Sequence, residues 1–479
     1  MADSLKNRTF KGTIWSSIER FSVQGIQFVV MILMARLLTP ADYGMVGMIA
    51  IFIAISQSII DSGFSQALIR KQDRSEIDNS TVFFFNVFVG LVLYLILYVC
   101  APLIAEFYLE PKLISITRII SLSLIFNSLT VVQRALLTIN LNFKTQAKAS
   151  LIAAVLSGII GIYMAYRGFG VWSIVSQQII NLFLITILLC FFSKWKPLFT
   201  YSWESFKELF SFGSKLLAAG LLDTIYKNIY LIVIGKIFKA SDLGYYTRAH
   251  QFSNFPSSNI TGIFQRVSYP VLCTIQDNDA KLSDVYRKIL KTSAFVVFPL
   301  MMGLAALSKP VILAFLTEKW LFSATLLIPL CFSGMWFPIH SINLNLLQVK
   351  GRSDLFLKLE IIKKVLGVTV LCISIPFGLL AMCWGTALNS IIALSINTYY
   401  TGKLINLGFF RQMKDILPTF ILSILMGAIV FFSINFLSLN PYLLILIGLL
   451  IGITFFIVAA IVCKFSEFDE LLALISKKS

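Results

Sequence analysis

Apolar stretches of about 20 residues recur from one end of this 479-residue chain to the other, joined by short polar connections. A helix of that length crosses the hydrocarbon core of a bilayer, where only helices and closed barrels satisfy every backbone group. Fourteen such spans are predicted, at 12–38, 41–64, 80–105, 113–139, 146–166, 169–193, 208–237, 241–270, 286–308, 320–347, 355–377, 379–402, 416–437 and 441–463. No connection is long enough for a domain outside the membrane. The fold class is therefore all-α, a polytopic membrane protein. Composition agrees, with 58% apolar and 13% charged residues, against about 45–50% and about 25% in an ordinary soluble domain. Soluble enzymes and disordered chains are excluded.

The net charge of +17 invites a nucleic-acid reading, but Lys and Arg concentrate in the cytoplasmic loops of membrane proteins. With the N-terminus in the cytoplasm, cytoplasmic segments hold 24 Lys or Arg, whereas the outer segments hold seven: Arg36, Lys112, Arg167, Lys236, Lys239, Lys309 and Lys319. Both termini are thus expected in the cytoplasm. Lys6, Arg8 and Lys11 precede an apolar stretch, Gly12 to Leu38, that is too long for a signal peptide and reads as a retained first helix. The seven cysteines are scattered and form no CxxC pair, and the two histidines are far apart, so no metal is expected.

The spans repeat. ARLLTPADYG (35–44) returns as GKIFKASDLG (235–244), an offset of 200 residues. NFKTQAK (142–148) sits against KGRSDLF (350–356), and FGVWS (169–173) against FGLLA (377–381), at an offset of 208. Six spans repeat as six, and an even number keeps both halves in the same orientation, which makes this a parallel repeat. The expected division is an N-terminal lobe at 1–203, a C-terminal lobe at 204–402, and helices 13–14 with a cytoplasmic tail at 403–479. Asp42 and Asp242, in the repeated motif, are expected to cap helices.

Ionisable groups at the bilayer centre cost roughly 2.5–3.5 kcal/mol each, so they face a cavity or a partner. The spans carry nine cations, Arg20, Arg118, Arg134, Lys215, Lys227, Arg248, Arg266, Lys363 and Lys364, but only four acids, Glu19, Asp61, Asp223 and Glu360. A cavity built from them favours an anion. Arg20, Gln24 and Gln27 share a face of the first span, at i, i+4 and i+7. In the eighth span Arg248, Gln251, Asn254, Ser258, Thr261 and Gln265 form an unbroken polar stripe that ends beside Arg266, with Pro256 expected to kink the helix. The blander alternative for such stripes, and for Gln57, Asn127, His340, Asn343, Asn389 and Asn397, is helix-to-helix hydrogen bonding. Asp61 has no cation within one turn and is a candidate to couple an ion, unless it is simply hydrated near the end of its span. Asp223, the other candidate, has Lys227 one turn away. Residues 416–463 contain no charge at all. Helices 13 and 14 can therefore offer packing or an apolar groove for a lipid tail.

Several blocks carry a family resemblance: ERFSVQGIQFVV (19–30), ARLLTPADYGMVGM (35–48), DSGFSQALIRKQDR (61–74), QRALLTINLNFK (133–144), DLGYYTRAHQ (242–251) and PSSNITGIFQRVSYPVL (256–272). With two six-helix repeats plus two helices, the chain resembles the polysaccharide-exporting branch of the MOP (MATE-like) superfamily. More closely, it resembles Wzx-type lipopolysaccharide, colanic-acid and teichuronic-acid flippases. That resemblance implies flipping of an undecaprenyl-diphosphate-linked oligosaccharide by alternating access, coupled to H+ or Na+, with no other cofactor. It also implies a cytoplasmic-membrane location, membrane lipids and polysaccharide polymerase or assembly proteins as partners, and a monomer. Its emphasis on cavity arginines falls on Arg20, Arg248 and Arg266. Two alternatives stand: a MATE-type antiporter of small cations, which would rely on cavity acids that are scarce here, and a membrane-embedded O-antigen polymerase or ligase, which would show a sizeable catalytic loop.

Overall fold

The computed structural model describes residues 2–469, with the side chains of residues 2–14, 16–20 and 353 outside that description. Among the described residues every regular element is a helix. Two compact units divide the chain, Met1–Gly244 and Tyr245–Ser479.

Unit 1 contains α1 (Ala2–Leu37), α2 (Pro40–Asp61), α3 (Phe64–Arg70), α4 (Glu76–Tyr108), α5 (Leu113–Ile120), α6 (Leu122–Ile139), α7 (Phe143–Tyr166), α8 (Val171–Ser193) and α9 (Trp203–Ile237). The first residues of α10 (Ala240–Cys273) also belong to it. Unit 2 takes the rest of α10, then α11 (Asp279–Ala306), α12 (Ser308–Phe315), α13 (Leu321–Gly334) and α14 (Phe337–Val349). It ends with α15 (Ser353–Ser374), α16 (Leu379–Ile405), α17 (Phe409–Asn435) and α18 (Pro441–Val462).

Each predicted span meets a helix or a broken pair of helices. Among the described residues eleven are long and apolar enough to cross a membrane, making this a multi-pass membrane protein. The other three are α1, α10 and α15, the helices into which the sequence puts Arg20, the polar stripe, and Lys358 to Lys364. In α10 the polar stripe lowers the hydropathy.

Local chemistry sets the ends. Thr39 caps α2 in a capping box: the Asp42 carboxylate accepts from Thr39 N at 2.9 Å and Thr39 Oγ1 at 2.6 Å. Asp242 likewise accepts from Lys239 N at 3.2 Å. The repeated acids therefore close their own helix starts. The expected span 41–64 breaks at its end, where Ser62 and Gly63 are both left-handed (φ 44° and 71°), and resumes as α3. In α10 the helix runs through Pro256 and Pro270 without a break.

Small residues let helices approach closely, as in membrane bundles generally. Gly158 of α7 faces Val30 of α1, and Gly161 faces Gln177 of α8. Gly448 of α18 sits on Leu307, and Gly452 on Val430 of α17. Tyr442 Oη donates to the Ala314 carbonyl at 2.8 Å. On α11 the row Arg287, Lys291 and Phe295 holds the last hairpin: Arg287 pairs with Asp415 at 2.6 Å, Lys291 with Glu467 at 3.5 Å, and the Phe295 ring meets Phe456 and Phe465. Helices 13 and 14 of the sequence reading are thus integral to unit 2.

The compact units divide 41 residues after the end of the first six spans at 203, because α9 docks on unit 1. Gly213 of α9 and Gly63 meet backbone to backbone, Phe206 and Phe210 join the Phe64–Phe85 cluster, and Lys71 Nζ reaches Glu208 at 2.8 Å and Asp78 at 3.2 Å. Glu208, and with it Asp78, holds the Lys71 ammonium above the ordinary lysine range against the burial that opposes it. At the other end of α9, Gly235 lies against Met48 and Tyr108.

The repeat has a physical signature. A Cβ on Gly44 would fall 1.7 Å from the Ala240 carbonyl oxygen, and one on Gly244 would fall 1.9 Å from the Pro40 carbonyl oxygen. The same residue of each motif presses on the first residue of the other helix.

Candidate polar transport faces

In unit 1, the side chains of Arg20 and Glu19 lie outside the description. Gln24 is half-buried, and its Oε1 has no hydrogen-bond partner among the described residues; Gln27 is exposed. Asp61 is the last residue of α2, half-buried at the α2–α3 break, where it accepts a hydrogen bond from Ser65 Oγ. Asp223 pairs with Lys227 Nζ at 2.6 Å on the partly exposed middle of α9. Arg118 turns onto the Tyr98 ring at 4.4 Å, the posture of a snorkelling side chain.

In unit 2, α10 separates into two faces. One face packs: Ala249, Phe252, Ser253, Ser257, Ser268 and Leu272 are buried. Ser253 Oγ donates to the Leu330 carbonyl at 2.8 Å, Ser257 Oγ to the Gly334 carbonyl at 2.5 Å, and Asn345 Nδ2 to Ser268 Oγ at 3.3 Å. These three pairs share a sequence separation of 77, so α10 runs parallel to α13 and α14. The predicted stripe lies away from that face. Arg248, Gln251, Asn254 and Ser258 are half-buried, while Gln265 and Arg266 are exposed. Thr261 instead returns its hydroxyl to the Ser257 carbonyl at 2.7 Å. Arg248 and Arg266, 18 residues apart, fall on one line of the helix, separated by about 27 Å.

A separate polar network joins α14, α16 and α17. Asn343 Nδ2 donates to Gln412 Oε1 at 3.0 Å, Gln412 Nε2 to Asn343 Oδ1 at 3.1 Å, and Thr401 Oγ1 to Asn343 Oδ1 at 2.7 Å. All three residues are fully buried. For Asn343 the helix-to-helix alternative is the one realised. Sequence reasoning missed Gln412 and Thr401. The signal was present in Thr386, Ser390, Asn397 and Thr401, which step by 4, 7 and 4 along one face of α16.

Comparison with known proteins decides the family. The family described as "Polysaccharide biosynthesis protein" matches residues 33–325. The chain belongs to that family. It is 28% identical over 434 residues to the teichuronic acid biosynthesis protein TuaB of Bacillus subtilis, covering 89% of each chain. It is 25% identical to the lipopolysaccharide biosynthesis protein WzxC of Escherichia coli, covering 86% of this chain and 82% of that one. Among solved structures, the lipid II flippase MurJ in an inward closed conformation superposes with TM-score 0.79 at 17% identity, over 94% of this chain and 99% of that one. An inward-facing MATE-family transporter of the MOP superfamily superposes with TM-score 0.61 at 16% identity, over 82% of this chain and 98% of that one. The expected fold class is therefore the observed one, and the chain stands among membrane transporters of polysaccharide biosynthesis, not among enzymes.

Proposed function

We propose that this protein flips an undecaprenyl-diphosphate-linked oligosaccharide repeat unit across the bacterial cytoplasmic membrane by alternating access, driven by a proton or sodium gradient. The observation that carries the reading is the side of α10 turned away from α13 and α14, which presents Arg248, Gln251, Asn254, Ser258, Gln265 and Arg266, and no acid after Asp242. A diphosphate needs forked cationic donors, which arginine supplies. Sugars need amides and hydroxyls, and the same face offers them. Arg20, Gln24 and Gln27 add the same chemistry from the first helix. The relatives' names, lipopolysaccharide and teichuronic acid biosynthesis, support a glycan cargo. The exposed apolar surface of α17 and α18 suits a prenyl tail. Asp61 and Asp223 are the acids we assign to ion coupling. A MATE-type exporter of small cations would need carboxylates where α10 presents arginines.

Both termini then lie in the cytoplasm, the working unit is one chain among membrane lipids, and a polysaccharide polymerase receives the flipped unit. In a strain lacking the gene, the intact protein restores surface polysaccharide. Arg248→Ala with Arg266→Ala does not, and lipid-linked repeat units accumulate instead. Full export by the double variant at normal protein level would refute this role for α10.

A further inference from the structure

We propose that the connection between α8 and α9, residues 194–202, forms with the first turns of α9 an anchor for anionic phospholipid at the membrane boundary. On the orientation proposed above, that lipid belongs to the cytoplasmic leaflet. The chain leaves α8 at Lys194, whose left-handed backbone (φ 54°) ends the helix, and Pro197 keeps the residue before it extended. Three contacts then pin the connection to the start of α4. Trp195 Nε1 donates to Glu76 at 2.7 Å, Leu198 N to Ser80 Oγ at 2.9 Å, and Ser202 N to Thr81 Oγ1 at 3.0 Å. Ser80 and Thr81 are chain neighbours, about 3.8 Å apart at Cα, whereas four extended steps, from 198 to 202, cover about 13 Å. The chain between these two pins therefore bows away from α4, with Phe199, Thr200 and Tyr201 at its exposed tip.

The tip is apolar. Phe199 is 95% exposed, and Leu198, Tyr201 and Trp203 are exposed beside it. Trp203 stacks on Phe206, and Lys207 Nζ lies 5.7 Å from the centre of the Trp203 ring. Cations surround these side chains. From 194 to 208 the sequence carries Lys194, Lys196 and Lys207, all exposed, against Glu204 and Glu208. Glu208 is already paired with Lys71, so the patch is left positive.

Position selects the occupant. The candidate spans Glu76–Tyr108, Val171–Ser193 and Trp203–Ile237 each have one end at this connection. It therefore lies where hydrocarbon gives way to headgroups. Tryptophan and tyrosine concentrate at that level, their rings among the lipids and their polar atoms toward water. Lysines beside them draw anionic headgroups. Four large apolar side chains left bare in water would be a liability, and in the headgroup layer they are covered. An anchor here fixes the depth of three helix ends of unit 1.

The test uses the full-length protein carrying the photoreactive residue p-benzoylphenylalanine in place of Phe199, in nanodiscs of phosphatidylcholine and phosphatidylglycerol. The same residue in place of Leu446, exposed on α18 inside an apolar span, reports the bulk lipid. Illumination should attach lipid at both positions. The share of phosphatidylglycerol among adducts at 199 should exceed that at 446, by about five-fold for each lysine that meets a phosphate. With Lys194→Gln, Lys196→Gln and Lys207→Gln combined, the two shares should become equal. Lipid at 446 but none at 199, equal shares in the parent, or an excess that survives loss of the three lysines overturns the proposal. So does capture of another polypeptide rather than lipid at 199 in intact cells. None of these readouts requires flipping, so the anchor and the function proposed above stand or fall separately.

Discussion

A methyl group on Gly44 should open the contact between the two repeated motifs. The Ala240 carbonyl oxygen would stand 1.7 Å from the new Cβ, and 3.4 Å is the start of ordinary contact, so the two first turns must separate by about 1.7 Å. The obstacle is backbone and cannot rotate aside. Overpacking costs about 1–3 kcal/mol, and a backbone obstacle puts this site near the upper figure. About 3 kcal/mol is on the order of 100-fold in a local opening equilibrium. Hydrogen exchange reads that opening directly: amides in 40–46 and 240–246 should exchange on the order of 100-fold faster in Gly44→Ala. Gly244→Ala should do the same through Pro40. Because either methyl opens the same contact, the double variant should open it little further, a strongly non-additive result. Unchanged exchange in both segments, or additive effects of the two changes, would refute the reciprocal contact and with it the physical case for the repeat.

Removing Asn343 as Asn343→Ala takes the donor from the buried Gln412 Oε1, at about 1–3 kcal/mol, while Gln412 Nε2 keeps the Leu407 carbonyl and the Thr401 hydroxyl keeps the Asn397 carbonyl; thermal unfolding should fall accordingly, and Asn343→Leu with Gln412→Leu should lose less than Asn343→Ala. Glu208→Gln weakens the Lys71 contact by about 0.5 kcal/mol, since Glu208 is largely exposed and screened. Lys71 is raised above 10.5, so this stability is complete below that pH and is lost as pH climbs through the higher folded value; a pH series of unfolding from neutral to alkaline should show the loss in the parent and not in Lys71→Met. From the cation asymmetry of the loops, an impermeant thiol reagent outside the cell should label a cysteine placed at 110 and miss one at 74, and the reverse would overturn the orientation.

Helix positions were legible in the sequence because a bilayer enforces length and hydropathy. The repeat was legible from ten residues, and Gly44 with Gly244 supplies its reason. Breaks were less so: Ser62 adopts a left-handed backbone that nothing in its side chain announces, and Pro256, a helix breaker in water, leaves α10 unbroken. The stripe on α10 was found by its spacing, but Ser253 and Ser257, one position away from it, proved to be packing groups, and only burial separates the two faces. The docking of α9 was hidden because it depends on Gly63, Gly213, Lys71 and Glu208, which lie far apart in sequence and show no periodicity. Gln412 follows a glycine turn at the start of α17 and looks like a surface residue until its partner Asn343 is seen.

The central claim is that a lipid-linked anionic glycan crosses the bilayer on this protein, using the arginines of α10. The direct measurement is flipping by purified protein in liposomes, read as the share of a fluorescent polyprenyl-diphosphate oligosaccharide reached by an impermeant quencher. The parent should expose the inner-leaflet half over time, with the rate scaling with protein, and Arg248→Ala with Arg266→Ala should remain at the protein-free rate. A parent no faster than empty liposomes, or a double variant as fast as the parent, would contradict the account.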